Sequence, residues 1–305
     1  MIKIYLLIGF LGAGKTTLMQ RLLKSYEDEK IGVIVNDFGE SNVDARLIEN
    51  EGMRMTELSN GSIFCACIKD KFIDSLIEMS AMDIDFMFIE ASGLADPANM
   101  GQILDGISHK TTNGYQLTGS VCVADAVHFT GLADILPALE NQVGYANAVI
   151  LNKADLADEE TIAAASEKIH EINPDVPIFV TSWCQVDLKE ITSRFATVKR
   201  ESKDSTNTVE SRPQSFILKA AEPVQHDGLL DFLKEVAPAS YRIKGFIKTD
   251  KGDYEVSCVS TDIRVSAWPK PVEKTELVAI SAVGIKLLSM LLSASGKYVG
   301  GKLKL

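Results

Sequence analysis

The sequence has few cysteines, no excess of positive charge and no long apolar run. Its five cysteines among 305 residues are too sparse for a disulfide scaffold, so we expect reduced thiols and a cytoplasmic protein. The net charge of −11 is unfavourable for binding a nucleic-acid backbone and argues against such partners. The apolar start of the chain is shorter than a signal peptide. No apolar run reaches the roughly 20 residues of a membrane span, so we expect no membrane contact.

The longest apolar stretch covers residues 277–292 and is interrupted by Ser281, Lys286 and Ser289. We predict that it forms a buried helix. Hydrophobic residues make up 46% of the chain and charged residues 24%, which is typical of a globular protein. This composition excludes a disordered, collagen-like or coiled-coil chain.

Short apolar runs alternate with helical patterns through the first two thirds of the chain. The runs that we predict as buried strands are residues 4–8, 32–35, 86–89, 121–123, 148–151 and 178–180. The predicted helices are residues 16–24, 70–82, 134–145 and 159–172. Strands that alternate with helices indicate βαβ units, and therefore an α/β fold with a mostly parallel sheet.

A segment rich in Ser, Thr and charge, residues 199–214, interrupts this alternation and has little to bury. We therefore predict a first domain at 1–195, a linker at 196–212 and a second domain at 213–305. The second domain has predicted strands at 215–219, 241–248 and 254–260, and a predicted helix at 229–236. We expect it to be a small α+β domain.

Residues 9–16 read GFLGAGKT and match the phosphate-loop pattern G-x-x-x-x-G-K-[ST]. The motif follows a predicted strand and opens a predicted helix, which is the context that the pattern requires. Glycines let backbone N–H groups converge on phosphate oxygens, and the helix N-terminus adds positive potential. Lys15 would place a charge on the β- and γ-phosphates, and the Thr16 hydroxyl is suited to Mg²⁺.

The apolar strand at residues 86–90 ends in a carboxylate, Glu90. An acidic group after a neighbouring strand is what the Mg²⁺ shell of a phosphate-loop site requires, directly or through water. The N–H of Gly93 could sense the γ-phosphate. The alternative is that Glu90 only caps the end of a strand.

A second nucleotide signal, N-K-x-D, follows the predicted strand at 148–151. The carboxylate of Asp155 can accept hydrogen bonds from guanine N1–H and the guanine 2-amino group, whereas adenine has no donor at either place. Asn152 can contact the base edge, and the stem of Lys153 can cover the ring. The motif therefore predicts GTP as the nucleotide. Thr181 and Ser182 close the next strand and could also touch the base.

Taken in order, GFLGAGKTT, NDFGESNVD, NGSIFCAC, IEASGLADP, ADAVHF, QVGYAN and NKAD resemble the CobW-type GTPases of the CobW/HypB/UreG family. The resemblance covers about residues 1–195. It continues in YRIKG at 241–245, which is similar to the C-terminal domain of that family. It implies a P-loop NTPase domain followed by a CobW-type domain. The implied activity is hydrolysis of GTP to GDP and phosphate, used to deliver a transition metal, or to assist a metal cofactor, to a client metalloprotein.

The resemblance also implies roles for particular residues, of which the catalytic ones are Lys15, Thr16, Glu90 and Gly93. The implied GTP-binding residues are Gly9, Gly12, Ala13, Gly14, Lys15, Thr16, Thr17, Asn152, Lys153 and Asp155. Mg²⁺ would be held by Thr16 and Glu90. Residues 36–44 match the first switch segment.

The metal motif departs from the family pattern Asn-Gly-Cys-x-Cys-Cys, because Ser62 and Phe64 stand where thiols are expected after Asn60-Gly61. If the pattern is aligned on Cys-x-Cys instead, Cys65 and Cys67 match and Ile68 replaces the last thiol. In an extended chain, side chains two residues apart face the same side, about 6.6 Å apart at Cα, and can converge on one ion. Zn²⁺ fits such thiolates best, with Co²⁺ or Ni²⁺ as alternatives. The further candidate ligands are Asp37, where the family usually has Glu, and His128.

These residues could also have purely structural roles. Cys65 and Cys67 could be thiols that pack a switch segment, and His128 could be an ordinary hydrogen-bonded histidine. Three functions therefore stay open: a GTP-driven metallochaperone, a metal-independent GTPase switch for a cofactor-bearing client such as a corrinoid protein, and a small-molecule kinase. The N-K-x-D motif argues against the kinase, as does the lack of a clear acceptor-binding lid in the sequence.

Overall fold

The computed structural model describes residues 1–26, 29–35, 54–57, 66–93, 95–133, 136–195, 213–259 and 261–305; in 54–57 and 66–69 it describes the backbone alone. The predicted first switch at 36–44, with Asp37, lies outside these residues, as do Cys65 and the predicted linker at 196–212. The chain divides into two compact units, Met1–Glu210 and Ser211–Leu305.

Among the residues that the structure describes, the first unit has a sheet of seven strands in the order β3-β2-β4-β1-β5-β6-β7. The strands are β1 (Ile2–Gly9), β2 (Ile31–Val35), β3 (Arg54–Glu57), β4 (Phe86–Glu90), β5 (Tyr115–Asp125), β6 (Ala148–Asn152) and β7 (Ile178–Val180). Every pairing between neighbours is parallel. The predicted α/β class is confirmed, and every predicted strand of this unit is present. The edge strand β3 was not predicted.

Helices connect these strands, as a parallel sheet requires. They are α1 (Lys15–Ser25), α2 (Ala66–Ser80), α3 (Met100–Ile107), α4 (Phe129–Ala133), α5 (Pro137–Tyr145), α6 (Glu159–Ile172) and α7 (Leu188–Ser193). The bounds of α6 match the prediction because both ends carry strong signals. At the start, the Asp158 side chain accepts from the N–H of Thr161. At the end, the backbone N–H of Asn173 donates to the Ile169 carbonyl, and Pro174 follows, which cannot continue the helix. Helices α3, α4 and α7 were not predicted.

The central strands are buried on both faces, which explains why they read as continuous apolar runs rather than alternating ones. On one face, Leu7 and Phe88 pack with Leu18 and Leu22 of α1. On the other face, the Met79 side chain of α2 lies close to Gly32 of β2. The sheet is therefore covered by helices on both sides.

Strand β1 lies between β4 and β5 in this sheet. Because parallel strands end at the same edge, the chain that follows β1 is flanked by the residues that end its neighbours. These are Glu90 at the end of β4 and Asp125 at the end of β5. One strand further along, β6 ends in Asn152, which is paired in register with Asp125. The fold thus brings the phosphate motif and the N-K-x-D motif to one edge of the sheet.

The second unit contains an antiparallel sheet in the order β11-β10-β9-β12-β8. Its elements are β8 (Ser215–Ala220), α8 (His226–Val236), β9 (Ser240–Thr249), β10 (Gly252–Val259), β11 (Asp262–Ala267), β12 (Thr275–Ser281) and α9 (Lys286–Tyr298). Side chains of both helices, including Phe232 and Leu291, share one core with the sheet residues Ile247 and Leu277. The predicted small α+β domain is confirmed.

The prediction of one buried helix at 277–292 was wrong for its first part. Residues up to Ser281 form the last strand of the second sheet, and the helix α9 begins only at Lys286. The strand ends where the Ser281 hydroxyl accepts from the N–H of Val283 and donates to the Gly284 carbonyl, which turns the chain. An apolar run of this length does not separate a buried strand from a buried helix, because both hide every side chain. In the described part of the chain, no helix has the length and apolar character needed to cross a bilayer.

Candidate functional site

The loop at residues 9–16 joins β1 to α1 and has the backbone shape that an anion cradle needs. Its three glycines, Gly9, Gly12 and Gly14, have φ angles of 137°, 73° and 117°. Gly14 is also the residue that precedes the first turn of α1. A Cβ atom at Gly14 would lie 2.4 Å from Nδ2 of Asn152, so neither the conformation nor the space allows a side chain there. The loop therefore presents backbone N–H groups and a free helix N-terminus in one place.

Lys15 is 7% exposed and folds back over this loop. Its Nζ donates to the carbonyls of Gly9 at 2.9 Å and Phe10 at 3.1 Å. These contacts keep a buried ammonium group in hydrogen-bonding surroundings, which a buried charge requires. They also hold the positive charge against the loop that the glycines shape.

Two groups proposed to hold Mg²⁺ lie next to each other at this edge. The Thr16 hydroxyl donates to Oε1 of Glu90 at 3.0 Å, and Glu90 is 5% exposed. Three residues after Glu90, Gly93 lies against the phosphate loop: a Cβ atom there would be 2.6 Å from the backbone nitrogen of Leu11. A hydroxyl and a carboxylate that converge in this way are hard oxygen ligands of the kind that Mg²⁺ prefers.

Asn152 is 3% exposed and ties the phosphate loop to the segment that follows β7. Its Nδ2 donates to the carbonyl of Ala13 at 2.8 Å, and its Oδ1 accepts from the N–H of Cys184 at 2.9 Å. The Cys184 thiol in turn lies 3.4 Å from the carbonyl of Gly14. One buried amide thus joins two loops that are far apart in the sequence. Its contact with the base edge stays a prediction.

The other two residues of the N-K-x-D motif remain accessible. Lys153 has a positive φ of 65°, and its Nζ donates to Oδ2 of Asp125 at 2.6 Å. Asp155 is exposed, and its backbone N–H donates to the Ser182 hydroxyl at 3.0 Å. The lysine stem is thus held in place, and the carboxylate of Asp155 faces solvent, available to a ligand.

Three residues that organise this site were not predicted from the sequence. Asp125 is one of them: its carboxylate orients Lys153 and accepts from the N–H of Val127 at 2.9 Å. Its position at the end of a central strand was a usable signal. Cys184 and Gln142 were not predicted as site residues either, although the Nε2 of Gln142 donates to the carbonyls of Gly93 and Ala95. No pattern in the sequence shows which distant loops these two side chains join.

Of the four predicted transition-metal ligands, the structure describes His128 and the backbone of Cys67. His128 is half-buried and lies just before α4. Cys67 is in the first turn of α2, so the extended geometry expected for residues 65–67 is wrong for Cys67. Within the described residues, no three His, Cys, Asp or Glu side chains form a cluster that could hold a metal. The proposed ligands Cys65 and Asp37 lie outside those residues.

The three cysteines whose side chains are described, Cys122, Cys184 and Cys258, are free and buried. Burial raises the pKa of each of these thiols to about 12. A higher pKa means less thiolate at any given pH, and the thiolate is the reactive and metal-binding form.

We expect iodoacetamide at pH 8 to leave these three cysteines unmodified in the folded protein and to modify them after denaturation. At this pH, a thiol of pKa about 12 is ionised in only about one molecule in 10⁴. Mass spectrometry of the digested protein measures the modification site by site. Rapid modification of Cys184 in protein that stays folded would contradict the burial described for it.

Comparisons with known proteins agree on one family. The model described as "CobW/HypB/UreG, nucleotide-binding domain" matches residues 3–180, and the model described as "Cobalamin synthesis protein cobW C-terminal domain" matches residues 213–291. A relative named zinc chaperone YjiA, from Escherichia coli, is 36% identical over 197 residues, which cover 61% of this chain and 59% of the relative. Zinc-regulated GTPase metalloprotein activator 1 from Dictyostelium discoideum is 28% identical over 296 residues, covering 80% of this chain and 62% of the relative.

The chain therefore spans about 60% of the length of these two relatives. Among solved structures, Zn(II)-bound YjiA GTPase from E. coli is similar with a TM-score of 0.50 and 25% identity, over 97% of this chain and 98% of that one. Because the nucleotide-binding model alone matches more than half of the sequence, the chain belongs to the CobW/HypB/UreG family.

Proposed function

We propose that this protein is a GTP-binding and GTP-hydrolysing metallochaperone that delivers a transition metal, with zinc as the first candidate, to a client metalloprotein. The observation that carries the nucleotide half is the bridge made by Asn152. It unites the phosphate loop with the segment after β7, so that the exposed carboxylate of Asp155 and the loop at 9–16 belong to one site. The names of the relatives, a zinc chaperone and a zinc-regulated GTPase activator, support the metal half.

In this proposal the phosphates of GTP bind to the backbone N–H groups of the loop formed by Gly9, Gly12, Ala13, Gly14 and the first turn of α1. Their negative charge is favoured by the helix N-terminus. The buried ammonium of Lys15 moves from carbonyl oxygens to phosphate oxygens, which are the stronger acceptors. Thr17 continues the first turn of the helix and adds a hydroxyl near the phosphates.

Thr16 and Glu90 would hold Mg²⁺, since their oxygen atoms already lie within 3.0 Å of each other. When bound, Mg²⁺ neutralises charge on the β- and γ-phosphates. Hydrolysis is attack of water on the γ-phosphorus with GDP as the leaving group. Lys15 stabilises the charge that develops on the phosphoryl oxygens, and the N–H of Gly93 contacts the γ-phosphate.

Guanine selection rests on Asp155 and Lys153. The carboxylate of Asp155 accepts from N1–H and the 2-amino group of the base, and the aliphatic stem of Lys153 covers the ring. The ion pair with Asp125 keeps that stem in one orientation, with only 19% of the lysine side chain exposed. ATP would leave the carboxylate without hydrogen-bond donors, and a polar site strongly rejects a ligand that leaves its groups unpaired.

The metal cargo would be held by Cys65 and Cys67, with Asp37 and His128 as further ligands. Cys67 lies in the first turn of α2. In the sequence, the two cysteines lie between the predicted switch at 36–44 and the segment that follows β4. If the nucleotide changes metal affinity through these segments, the metal must change nucleotide affinity by the same factor.

The test is an anaerobic titration of the reduced protein with Zn²⁺ and with Co²⁺, carried out with a GTP analogue, with GDP and without nucleotide. We expect tight binding of one ion, with an affinity that differs by about 5- to 150-fold between nucleotide states. Thiolate-to-Co²⁺ charge-transfer absorption should appear in wild type and be lost in the double variant C65S/C67S. The wild-type protein should also release phosphate from GTP but not from ATP.

The matched control is Cys258→Ala, which removes a buried thiol of the second unit and should leave the absorption unchanged. Metal stoichiometry that is the same in C65S/C67S and in wild type would contradict the site as drawn. Binding of metal that ignores the nucleotide would contradict the delivery cycle.

One observation favours a second candidate, the metal-independent GTPase switch for a cofactor-bearing client. Ser62 and Phe64 replace thiols of the family pattern, so the remaining ligand set is incomplete. Failure to bind either metal in every nucleotide state, with GTP hydrolysis intact, would select this function. For both functions we propose a cytoplasmic location, where the free thiols of Cys122, Cys184 and Cys258 stay reduced.

A further inference from the structure

The side chain of Gln142, in α5, reaches the segment that follows β4. It is 1% exposed, and its Nε2 donates to the carbonyls of Gly93 at 3.2 Å and Ala95 at 3.0 Å. Because both neighbours are carbonyl oxygens, the amide must present its nitrogen to them; its oxygen would be repelled. The orientation of this side chain is therefore determined by its surroundings.

Gly93 is in contact with the rest of the protein on two sides. Towards the phosphate loop there is no room for a Cβ atom, which would lie 2.6 Å from the backbone nitrogen of Leu11. Towards α5 its carbonyl is held by Gln142. A glycine has wide freedom in φ and ψ, so its peptide groups point in one direction only when something outside the residue fixes them. Gln142 supplies that fixation.

The bonding of Gln142 is incomplete, which argues against a purely structural role. Its Oε1 and the Oγ of Ser92 are buried and find no hydrogen-bond partner among the described residues. Most buried polar side-chain atoms in proteins are bonded, and an apolar side chain of the same length would avoid this cost. An amide at this position is explained if its two N–H hydrogens are needed to hold the carbonyls of Gly93 and Ala95.

We propose that Gln142 is a positioning residue for the γ-phosphate of GTP: it fixes Gly93 and Ala95 so that the N–H of Gly93 meets the γ-phosphate. This inference rests on the proposed GTPase function. GDP has no γ-phosphate, so loss of the fixation weakens GTP binding and slows hydrolysis and leaves GDP binding unchanged. The contact between Gly93 and Leu11 of the phosphate loop does not involve Gln142, so the phosphate loop itself should stay intact.

The same stretch of chain offers a matched control. Asn147 is also a buried amide, 8% exposed, but its Oδ1 accepts from the N–H of Ser120, in β5, at 2.9 Å. Gln142→Met and Asn147→Leu each replace a buried amide by an apolar side chain of similar size. Both should lower thermal stability, and only the first should separate the two nucleotides.

The experiment measures the dissociation constants of a non-hydrolysable GTP analogue and of GDP, and the rate of phosphate release. In Q142M we expect the analogue to bind about tenfold more weakly and hydrolysis to slow about tenfold, with GDP within twofold of wild type. In N147L the ratio of the two constants should stay within twofold of wild type. Equal losses for both nucleotides in Q142M, or no loss at all, would overturn the proposal.

A measurement on the unaltered protein covers the case in which Q142M does not fold. Amide hydrogen exchange in peptides spanning residues 91–99 should be slower with the GTP analogue than with GDP, because only the γ-phosphate engages Gly93. Identical exchange in the two states would also overturn the proposal. A wild-type protein that binds neither nucleotide would instead refute the proposed function, so the two failures are distinguishable.

Discussion

Replacing Asp155 by asparagine is expected to weaken GTP binding about 100-fold or more and to create binding of xanthosine triphosphate. The carboxylate accepts two hydrogen bonds from guanine, and each charge-assisted bond contributes roughly 1.5–3 kcal/mol. An amide offers one acceptor and one donor. Xanthine has a carbonyl at position 2 in place of the amino group, so the asparagine N–H₂ meets an acceptor. Because Asp155 is exposed, the fold should be unaffected.

The measurement is a set of titrations with GTP, ATP and xanthosine triphosphate for wild type and D155N. Asp158→Asn is the matched control, three residues further along. Asp158 accepts from the N–H of Thr161 at the start of α6, and asparagine caps a helix about as well as aspartate does. D158N should therefore keep both its stability and its GTP affinity within about twofold. Wild type that binds ATP as tightly as GTP would contradict the assignment of the base site.

Replacing Lys15 by alanine is expected to slow GTP hydrolysis about 100- to 1,000-fold. Lys15 is the charged donor of the phosphate loop, and removal of one such group from a preorganised site costs about this factor. Nucleotide binding should weaken in parallel. At a GTP-analogue concentration of 100 times the wild-type dissociation constant, stabilisation of the folded state should fall from about 2.7 kcal/mol to about 0.4 kcal/mol for a 100-fold loss of affinity.

Thermal unfolding with and without the analogue, together with phosphate release, measures both effects. Lys24→Ala is the control, because Lys24 lies on the same helix α1 but is exposed. It should retain the full shift in melting temperature and the full rate. A K15A variant that hydrolyses GTP at the wild-type rate would show that the chemistry takes place elsewhere.

What the sequence predicted correctly was encoded locally. The phosphate loop needs only its own glycines and the neighbouring strand and helix, so its place at the end of β1 followed from one motif. Helix α6 was bounded correctly because Asp158 and Asn173 mark its ends. The buried strands followed from apolar runs of the right length, and their alternation with helices gave the parallel sheet.

What the sequence did not predict depends on contacts between distant segments. Strand β3, residues Arg54–Glu57, has a polar pattern and becomes a strand only through pairing with β2. The helix predicted from residue 134 begins instead at Pro137, which suits the first helical position. For Gln142 and Asn152, residue type and spacing revealed that an amide was present, but not which carbonyl oxygens it would reach across the fold.

The Asn152 bridge has a consequence for how nucleotide preference can change during evolution or engineering. Asn152 is part of the frame, since a change there releases the Ala13 and Cys184 segments together. Asp155 lies on the same loop and carries no such burden; the bond from its backbone N–H to Ser182 does not depend on its side chain. Base selectivity is thus separate from the structure of the site: a single substitution at Asp155 can change which base is bound and leave the two bridged loops in place.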